Sequence, residues 1–243
     1  MELFIFNNMA LPFFYIDNYS GQKQIVLDED TSRHVVQVLR MKEGEQLNLT
    51  DGKGSLLTCE ITDANKKHCH VEVRAKNDSP KPLIQVSIAI SLLKNTNRFE
   101  WFLEKATEIG VREIIPLICE RTEKEKFRHD RMNAICISAM LQSQQCWLPL
   151  LHEPVQFENA VIRKFENCLK LIAHCEDDKK KKLSDFQIDP FSNCQILIGP
   201  EGDFAPKEIE GALQNGYQPV SLGETRLRTE TAGVVAAAML MIA

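Results

Sequence analysis

Two prolines within three residues, in Ser79-Pro80-Lys81-Pro82, divide this chain into two segments that follow different patterns. Proline cannot donate to a strand ladder and it stiffens the backbone, so a regular element is not expected to run through this point. Before it, from Gln24 to Val73, short alternating runs are separated by turn residues. "QLNLTDGKGSLLTCEI" alternates around Asp51-Gly52, a hairpin signal, and "HCHVEVRA" alternates again, which predicts a small β-barrel. Asp30 to Arg40 differs: Thr31 or Ser32 can cap a helix carrying Val35, Val38 and Leu39 at helical spacing.

After the prolines, strand-like and helix-like runs alternate. "LIQVSIAISLL", a helix from Arg98 to Ile109 closed by Gly110, "EIIPLIC" and a helix after Asp130 to about Gln145 come first. "CLKLIAHC", "CQILI", a helix from Pro206 to Asn215 closed by Gly216, "QPVSL" and an apolar terminal helix follow. This order predicts an α/β domain with a mainly parallel sheet. The expected domains are residues 1–80 and 83–243, which suits a chain of 243 residues that is 44% hydrophobic.

Composition narrows the function. Eight cysteines without one C-x-x-C argue against a disulfide framework or a four-cysteine zinc site, so a reducing, cytoplasmic setting is expected. In His68-Cys69-His70 a strand would turn the middle residue away from the other two, so no metal is expected. "MELFIFNNMALPFF" lacks a basic start and is broken by two asparagines and a proline, unlike an export signal. The apolar run from Ala232 to Ala243 falls short of the ~20 residues needed to cross a bilayer and reads as a buried helix. Net charge is −5, and the first 81 residues hold ten Lys/Arg against twelve Asp/Glu, so neither carries the overall basic signature of a nucleic-acid binder, and any such contact must come from local patches. The four lysines between Asp177 and Leu183 read as a solvated loop.

In open α/β sheets ligands bind at the carboxyl ends of strands. Two strand-end loops here share a character: Gly199-Pro200-Glu201-Gly202, and Gly223-Glu224-Thr225-Arg226-Leu227-Arg228 leading into Thr229-Glu230-Thr231. Glycine admits close approach to a ligand and proline makes the loop rigid, which suits a small molecule held by main chain. Ala205 before Pro206 is a poor helix cap, leaving Asp203 as the nearest side chain for that task. Triphosphate and dinucleotide fingerprints are missing, as is the G-x-S-x-G elbow.

"LIGPEGDF" with the following "EI", "SLGETRLRTETA" and the apolar terminal helix resemble the SPOUT methyltransferases, specifically the E-type enzymes that methylate N3 of a uridine in 16S ribosomal RNA. "SRHVVQVLRMKEGEQLNLTDGKG" is similar to that family's PUA-like RNA-binding barrel, and "KATEIGVREIIPL" to the start of its catalytic domain. The resemblance implies a PUA-like barrel followed by a SPOUT α/β domain with a deep trefoil knot, and a homodimer. It also implies S-adenosylmethionine held by Ile198, Gly199, Pro200, Glu201, Gly202, Leu222, Gly223, Leu227, Arg228 and Thr231. Asp203 stands where the family commonly has a second glycine, and Leu141 and Gln145 stand where it has Glu and Arg. "ALPFFYI" resembles the usual family beginning, which makes Met9 a candidate initiator and residues 1–8 an extension.

Uridine N3 is a poor nucleophile until it loses its proton. Arg228 is the candidate for steadying the charge that develops, and Glu201 or Glu230 for accepting the proton or orienting Arg228. Candidate phosphate contacts are Arg33, His34, Arg40 and Lys42 in the first domain and Lys94 and Arg98 in the second. Two other readings remain: an inert RNA- or ribosome-binding module, and an enzyme that acts on transfer RNA.

Overall fold

A computed structural model of the chain describes residues 11–163, 167–176, 180–186 and 193–242. The expected extension at residues 1–8, Met9, and residues 177–179 of the lysine-rich stretch lie outside them. The chain forms two compact units: residues 1–81 with Gln144–Cys146, and residues 82–143 with 147–243.

The first unit contains β1 (Phe13–Tyr15), β2 (Gln24–Val26), β3 (Gln46–Thr50), β4 (Ser55–Asp63) and β5 (His70–Asp78), in the order β1-β3-β4-β5-β2. β3 and β4 form the hairpin expected around Asp51-Gly52. β1 and β2 are the two edges and do not pair with each other, so the sheet is half of a barrel rather than a closed ring. A helical segment supplies part of its core: α1 (Glu29–Arg33) continues as a π-helical turn over His34–Val38, and Val35 is fully buried beside Leu47, Leu49, Leu57 and Val71. The cap is Asp28 rather than Thr31 or Ser32, and its carboxylate accepts the Thr31 backbone N–H at 2.9 Å. Ser32 is committed elsewhere: its buried hydroxyl donates to the Leu27 carbonyl and accepts the Cys69 N–H.

The second unit is a parallel sheet built from β6 (Gln85–Ser91), β7 (Glu113–Ile118), β8 (Leu150–Leu151), β9 (Val155–Gln156), β10 (Cys168–Ala173), β11 (Lys181–Lys182), β12 (Asn193–Ile198) and β13 (Gln218–Ser221). Their order is β11-β13-β10-β12-β6-β7-β8, with β9 also on β7, and every pairing is parallel. Lys181 and Lys182 pair with Val220 and Ser221, so this part of the lysine run is an edge strand and not a loop, because backbone pairing is indifferent to an exposed charge.

Helices cover both faces. α2 (Thr96–Ile109), α3 (His129–Gln142) and α6 (Thr229–Ile242) bury Phe99, Phe102, Met132, Cys136, Ala236 and Leu240 against Ile88, Ile90, Ile114, Ile196 and Ile198. α4 (Phe157–Val161) and α5 (Pro206–Gln214) bury Phe157, Ile209 and Ala212 against Ala89, Ile115, Leu117, Ile172 and Leu197. Successive strand residues face opposite sides, and both sides are apolar, as a strand buried on both faces requires.

α6 comes unusually close to the sheet. A Cβ built on Gly233 would lie 2.6 Å from the Phe102 ring and 2.9 Å from Ile90 Cδ1, closer than real Cβ contacts. Overpacking of this kind costs about 1–3 kcal/mol. Gly233→Leu is therefore expected to lower the midpoint of thermal unfolding measured by circular dichroism.

At the amino end of β7, Glu113 meets His152 Nε2 at 2.6 Å, the Ser87 hydroxyl and the Arg163 guanidinium. Burial alone would raise the Glu113 carboxyl, but the hydrogen bonds from His152 and Ser87, aided by the Arg163 charge, hold it below the usual 4.5. A carboxyl depressed in the folded state contributes stability that is present above its unfolded value and lost as pH falls through its folded value. Glu113→Gln is expected to flatten the loss of stability below about pH 4.5 in pH-dependent urea unfolding.

Candidate functional site

β12 ends at Ile198, and the chain turns through Gly199-Pro200-Glu201-Gly202-Asp203-Phe204 before entering α5. Glycine at 199 is needed for close packing: a Cβ there would stand 3.1 Å from the Phe204 ring, itself buried against Phe157. Four ties hold this loop. Thr229 Oγ1, at the start of α6, donates to the Gly199 carbonyl at 2.9 Å. Arg121 Nη1 donates to the Gly202 carbonyl at 2.7 Å and to that of Phe204 at 3.3 Å. Asp203 Oδ2 accepts the Cys175 N–H at 2.8 Å, reaching the loop that follows β10. Glu208 accepts the Ala205 N–H with one oxygen and the Glu120 N–H with the other.

Asp203 thus does not cap α5, as the sequence led us to expect. Glu208 reaches back one turn to do so, while Asp203, at φ 66°, turns its carboxylate to Phe204 and Cys175. Aspartate tolerates this left-handed conformation better than most residues with a Cβ. That is how a non-glycine residue fits in the second half of Gly202-Asp203.

Two adjoining depressions open at the carboxyl ends of β10, β12 and β13. One, of about 270 Å³, is lined by Ile198, Gly199, Pro200, Glu201, Asp203, Leu227, Arg228 and Thr229. The other, of about 550 Å³, is lined by His174, Cys175, Glu176, Lys180, Leu222, Gly223 and Leu227. They share Ala173, Cys175, Arg226, Leu227 and Ala232. Of the ten residues inferred to hold a cofactor, eight line this pair. Gly202 instead faces the Arg121 side chain, and Thr231 lines a neighbouring cleft.

That cleft, about 340 Å³, lies among Asn97, Arg98, Trp101, Arg228, Glu230 and Thr231. Arg228 is exposed and is the one residue common to it and to the smaller depression. Glu201 is exposed and accepts the Lys94 N–H at 3.3 Å. Glu230 is buried, with Oε1 3.6 Å from Arg98 Nε and Oε2 without a hydrogen bond among the described residues.

The remaining charged candidates fall in both units. In the first, Arg33 is 3.4 Å from both Glu29 and Asp30, and His34 makes an edge contact with Phe14. Arg40 takes φ 57° just past the helical turn, where it stays exposed, and the Lys42 N–H donates to Glu45 at 2.6 Å. In the second, Lys94 pairs with Glu123 at 2.6 Å and Arg98 with Glu230. Phe99 is buried and Trp101 is 42% exposed, so only the latter is available to a ligand.

The third wall, Ala173 to Glu176, was not singled out in the sequence. It carries no glycine or proline, and only its position after a strand pointed to it. The anchoring Arg121 had no local signal at all.

Residues 79–241 match the RNA methyltransferase domain family, and residues 27–74 match the RNA methyltransferase PUA domain. The first match spans well over half of the chain, which belongs to the RNA methyltransferase domain family. Among curated proteins, the ribosomal RNA small subunit methyltransferase E of Buchnera aphidicola is 29% identical, covering 94% of this chain and 92% of that protein. Its namesake from Bacillus subtilis is 29% identical over 84% of each. Among solved structures, a probable rRNA-methyltransferase from Porphyromonas gingivalis is 38% identical, with a TM-score of 0.88 over 96% of this chain and 99% of that one. The ribosomal RNA small subunit methyltransferase E of Neisseria gonorrhoeae, bound to S-adenosyl methionine, is 30% identical, with a TM-score of 0.83 over 94% and 96%.

Cys175 provides a direct probe of the pocket. It is the one exposed cysteine, and burial pushes the thiols of Cys59, Cys69 and Cys136 up to about 11 and that of Cys194 to about 12. A thiol reagent acts on the thiolate, so iodoacetamide at neutral pH is expected to modify Cys175 first, as read by peptide mass spectrometry. S-adenosylmethionine is expected to slow that reaction.

Proposed function

We propose that this protein transfers the methyl group of S-adenosylmethionine to N3 of a uridine in 16S ribosomal RNA of the small subunit. The observation that carries this reading is the position of Arg228, which lines both the strand-end pocket and the cleft at Trp101. One arginine thereby borders a place for a cofactor and a place for a base.

The pocket suits a cationic, amphipathic nucleoside. It offers Ile198 and Leu227 as apolar walls, a rigid Gly199-Pro200 turn, and the carboxylates of Glu201 and Asp203. Ile198, Gly199, Pro200, Glu201, Leu222, Gly223, Leu227 and Arg228 are assigned to holding it, while Gly202, against Arg121, and Thr231, in the neighbouring cleft, stand just outside. When bound, the cofactor supplies an electrophilic methyl on a sulfonium. The work left to the protein is alignment and charge. Arg228 stays protonated and donates toward O2 or O4 of the uridine as negative charge develops there. Glu201, exposed beside the pocket, accepts the N3 proton directly or through water. Glu230, buried 3.6 Å from Arg98 but lining the same cleft as Arg228, is the alternative acceptor.

In this reading residues 1–80 form the PUA-like RNA-binding domain, with phosphates held by Arg33, His34, Arg40 and Lys42, and residues 83–243 form the SPOUT domain, where Lys94 and Arg98 add contacts. The deep trefoil knot and the homodimer belong to the same proposal. Support for the dimer comes from α6, where Val234, Val235, Ala238 and Met241 keep part of their apolar surface open. No helix among the described residues is long and apolar enough to cross a membrane, and an enzyme of ribosomal RNA belongs in the cytoplasm. No described group of His, Cys, Asp or Glu gathers around a metal position, and the reaction requires none.

Arg228→Ala is expected to lower kcat on 16S ribosomal RNA by about 10²–10³, the loss typical of one oxyanion donor, and to weaken S-adenosylmethionine binding by less than it lowers turnover. Unchanged turnover would reject the role. Cofactor at 100 times its Kd is expected to add about 2.7 kcal/mol of apparent stability, and no thermal shift would point to an inert module. Nucleoside mass spectrometry of 16S and transfer RNA from a strain lacking the gene identifies the target.

A further inference from the structure

A groove separate from the cofactor pocket lies where the amino end of α2 meets the loop from β7 to α3. It encloses about 420 Å³, and its rim holds Lys124, Lys126, Arg128 and Arg131 against a single carboxylate, that of Glu100. In a chain of net charge −5 this is a local reversal of sign. Glu100 does not neutralise the cluster: both its oxygens are taken by Arg131, at 2.6 and 2.9 Å. Lys124 Nζ is oriented by Thr96 Oγ1 at 3.0 Å. Lys126 and Arg128 are exposed and make no ion pair among the described residues. The acids of the same loop are directed elsewhere, since Glu123 pairs with Lys94 and Glu125 does not line the groove.

The groove adjoins the reaction site. Asn97 lines both it and the Trp101 cleft, and Arg228 lines both that cleft and the cofactor pocket. The pocket, the cleft with its exposed indole and the basic groove therefore lie side by side in that order. Basic tracks with interposed aromatic faces bind single-stranded nucleic acid, the cations taking phosphates and the rings taking bases. With Arg131 balanced by Glu100, the charges of Lys124, Lys126 and Arg128 remain on the rim and repel one another.

We infer that the groove of Lys124, Lys126, Arg128 and Arg131 holds backbone phosphates flanking the nucleotide to be modified, with a neighbouring base stacked on Trp101. This rests on the RNA methyltransferase reading above and adds to it a path for the strand within the second unit. It assigns Lys126 and Arg128 to substrate binding and gives them no part in the chemical step.

The test compares full-length wild type, Lys126→Glu/Arg128→Glu and Trp101→Ala, with circular dichroism and S-adenosylmethionine binding as controls of folding. The probe is a fluorescent oligouridylate of about 12 nucleotides, within the span of such tracks, titrated across a salt series. Single-strand binding loses about 0.7 in the slope of log K against log salt per phosphate contact, so the double variant is expected to lower the slope by about 1.4. Its affinity for the probe should fall at least tenfold. Trp101→Ala should weaken binding about fivefold or more with the salt slope unchanged, as loss of one stacked base predicts. On 16S ribosomal RNA the double variant should raise KM and leave kcat and the cofactor Kd unchanged.

Equal affinity and salt slope in wild type and double variant would overturn the inference and leave the groove to an acidic protein surface. Failure of wild type to bind the probe would overturn it too. Failure of wild type to bind S-adenosylmethionine or methylate any RNA would instead reject the function proposed above, and the salt series would still be read independently.

Discussion

The site depends on how closely α6 lies against the sheet. The missing side chain at Gly233 lets this helix settle onto Ile90 and Phe102, and that approach sets where its first residue stands. Thr229 then meets the Gly199 carbonyl with its buried hydroxyl, joining the loop after β12 to the segment that follows β13. Without that junction the two loops would be independent turns at the sheet edge, and Leu227, Arg228 and Glu201 would have no reason to border one cavity.

Polar ties elsewhere secure the same loop from other directions. Arg121 binds two carbonyls, Asp203 reaches a backbone N–H after β10, and Glu208 joins the start of α5 to the β7–α3 loop. The ties to Phe204, Ala205 and Glu120 give buried or half-buried main-chain groups a partner that a tight turn cannot supply itself, and leaving such a group unpaired costs about 1–3 kcal/mol. The arrangement places rigidity where a small molecule would be held by main chain. Free side-chain charge is kept at the mouth, at Arg228 and Glu201.

Much of this was legible in the sequence, for reasons that can be named. The parallel sheet followed from apolar runs alternating with amphipathic ones, and the paired loops stood out because glycine, proline and charge crowd the ends of apolar strands. Long-range decisions were not legible. Ser32 gave up the helix cap because a residue 37 positions away, just before β5, claimed its hydroxyl. Lys181 and Lys182 joined an edge strand that only the fold provides. Asp203 could be seen to replace a glycine, but its grip on Cys175 depends on β10 and β12 being neighbours. The helical turn that supplies Val35 to the half-barrel's core could be read from its spacing, but not that Val38 and Leu39, at the same spacing, stay exposed.

The strand order has a kinetic consequence. β10 lies between β12 and β13, so the cavity walls come from stretches near residues 175, 200 and 225 that meet only after every intervening crossover is in place. Parallel, non-local pairings of this sort are reached late, after much chain entropy has been lost. Ligand capture during refolding is therefore a clock for the final step: an intermediate with most of its secondary structure formed still has nowhere for the nucleoside to sit.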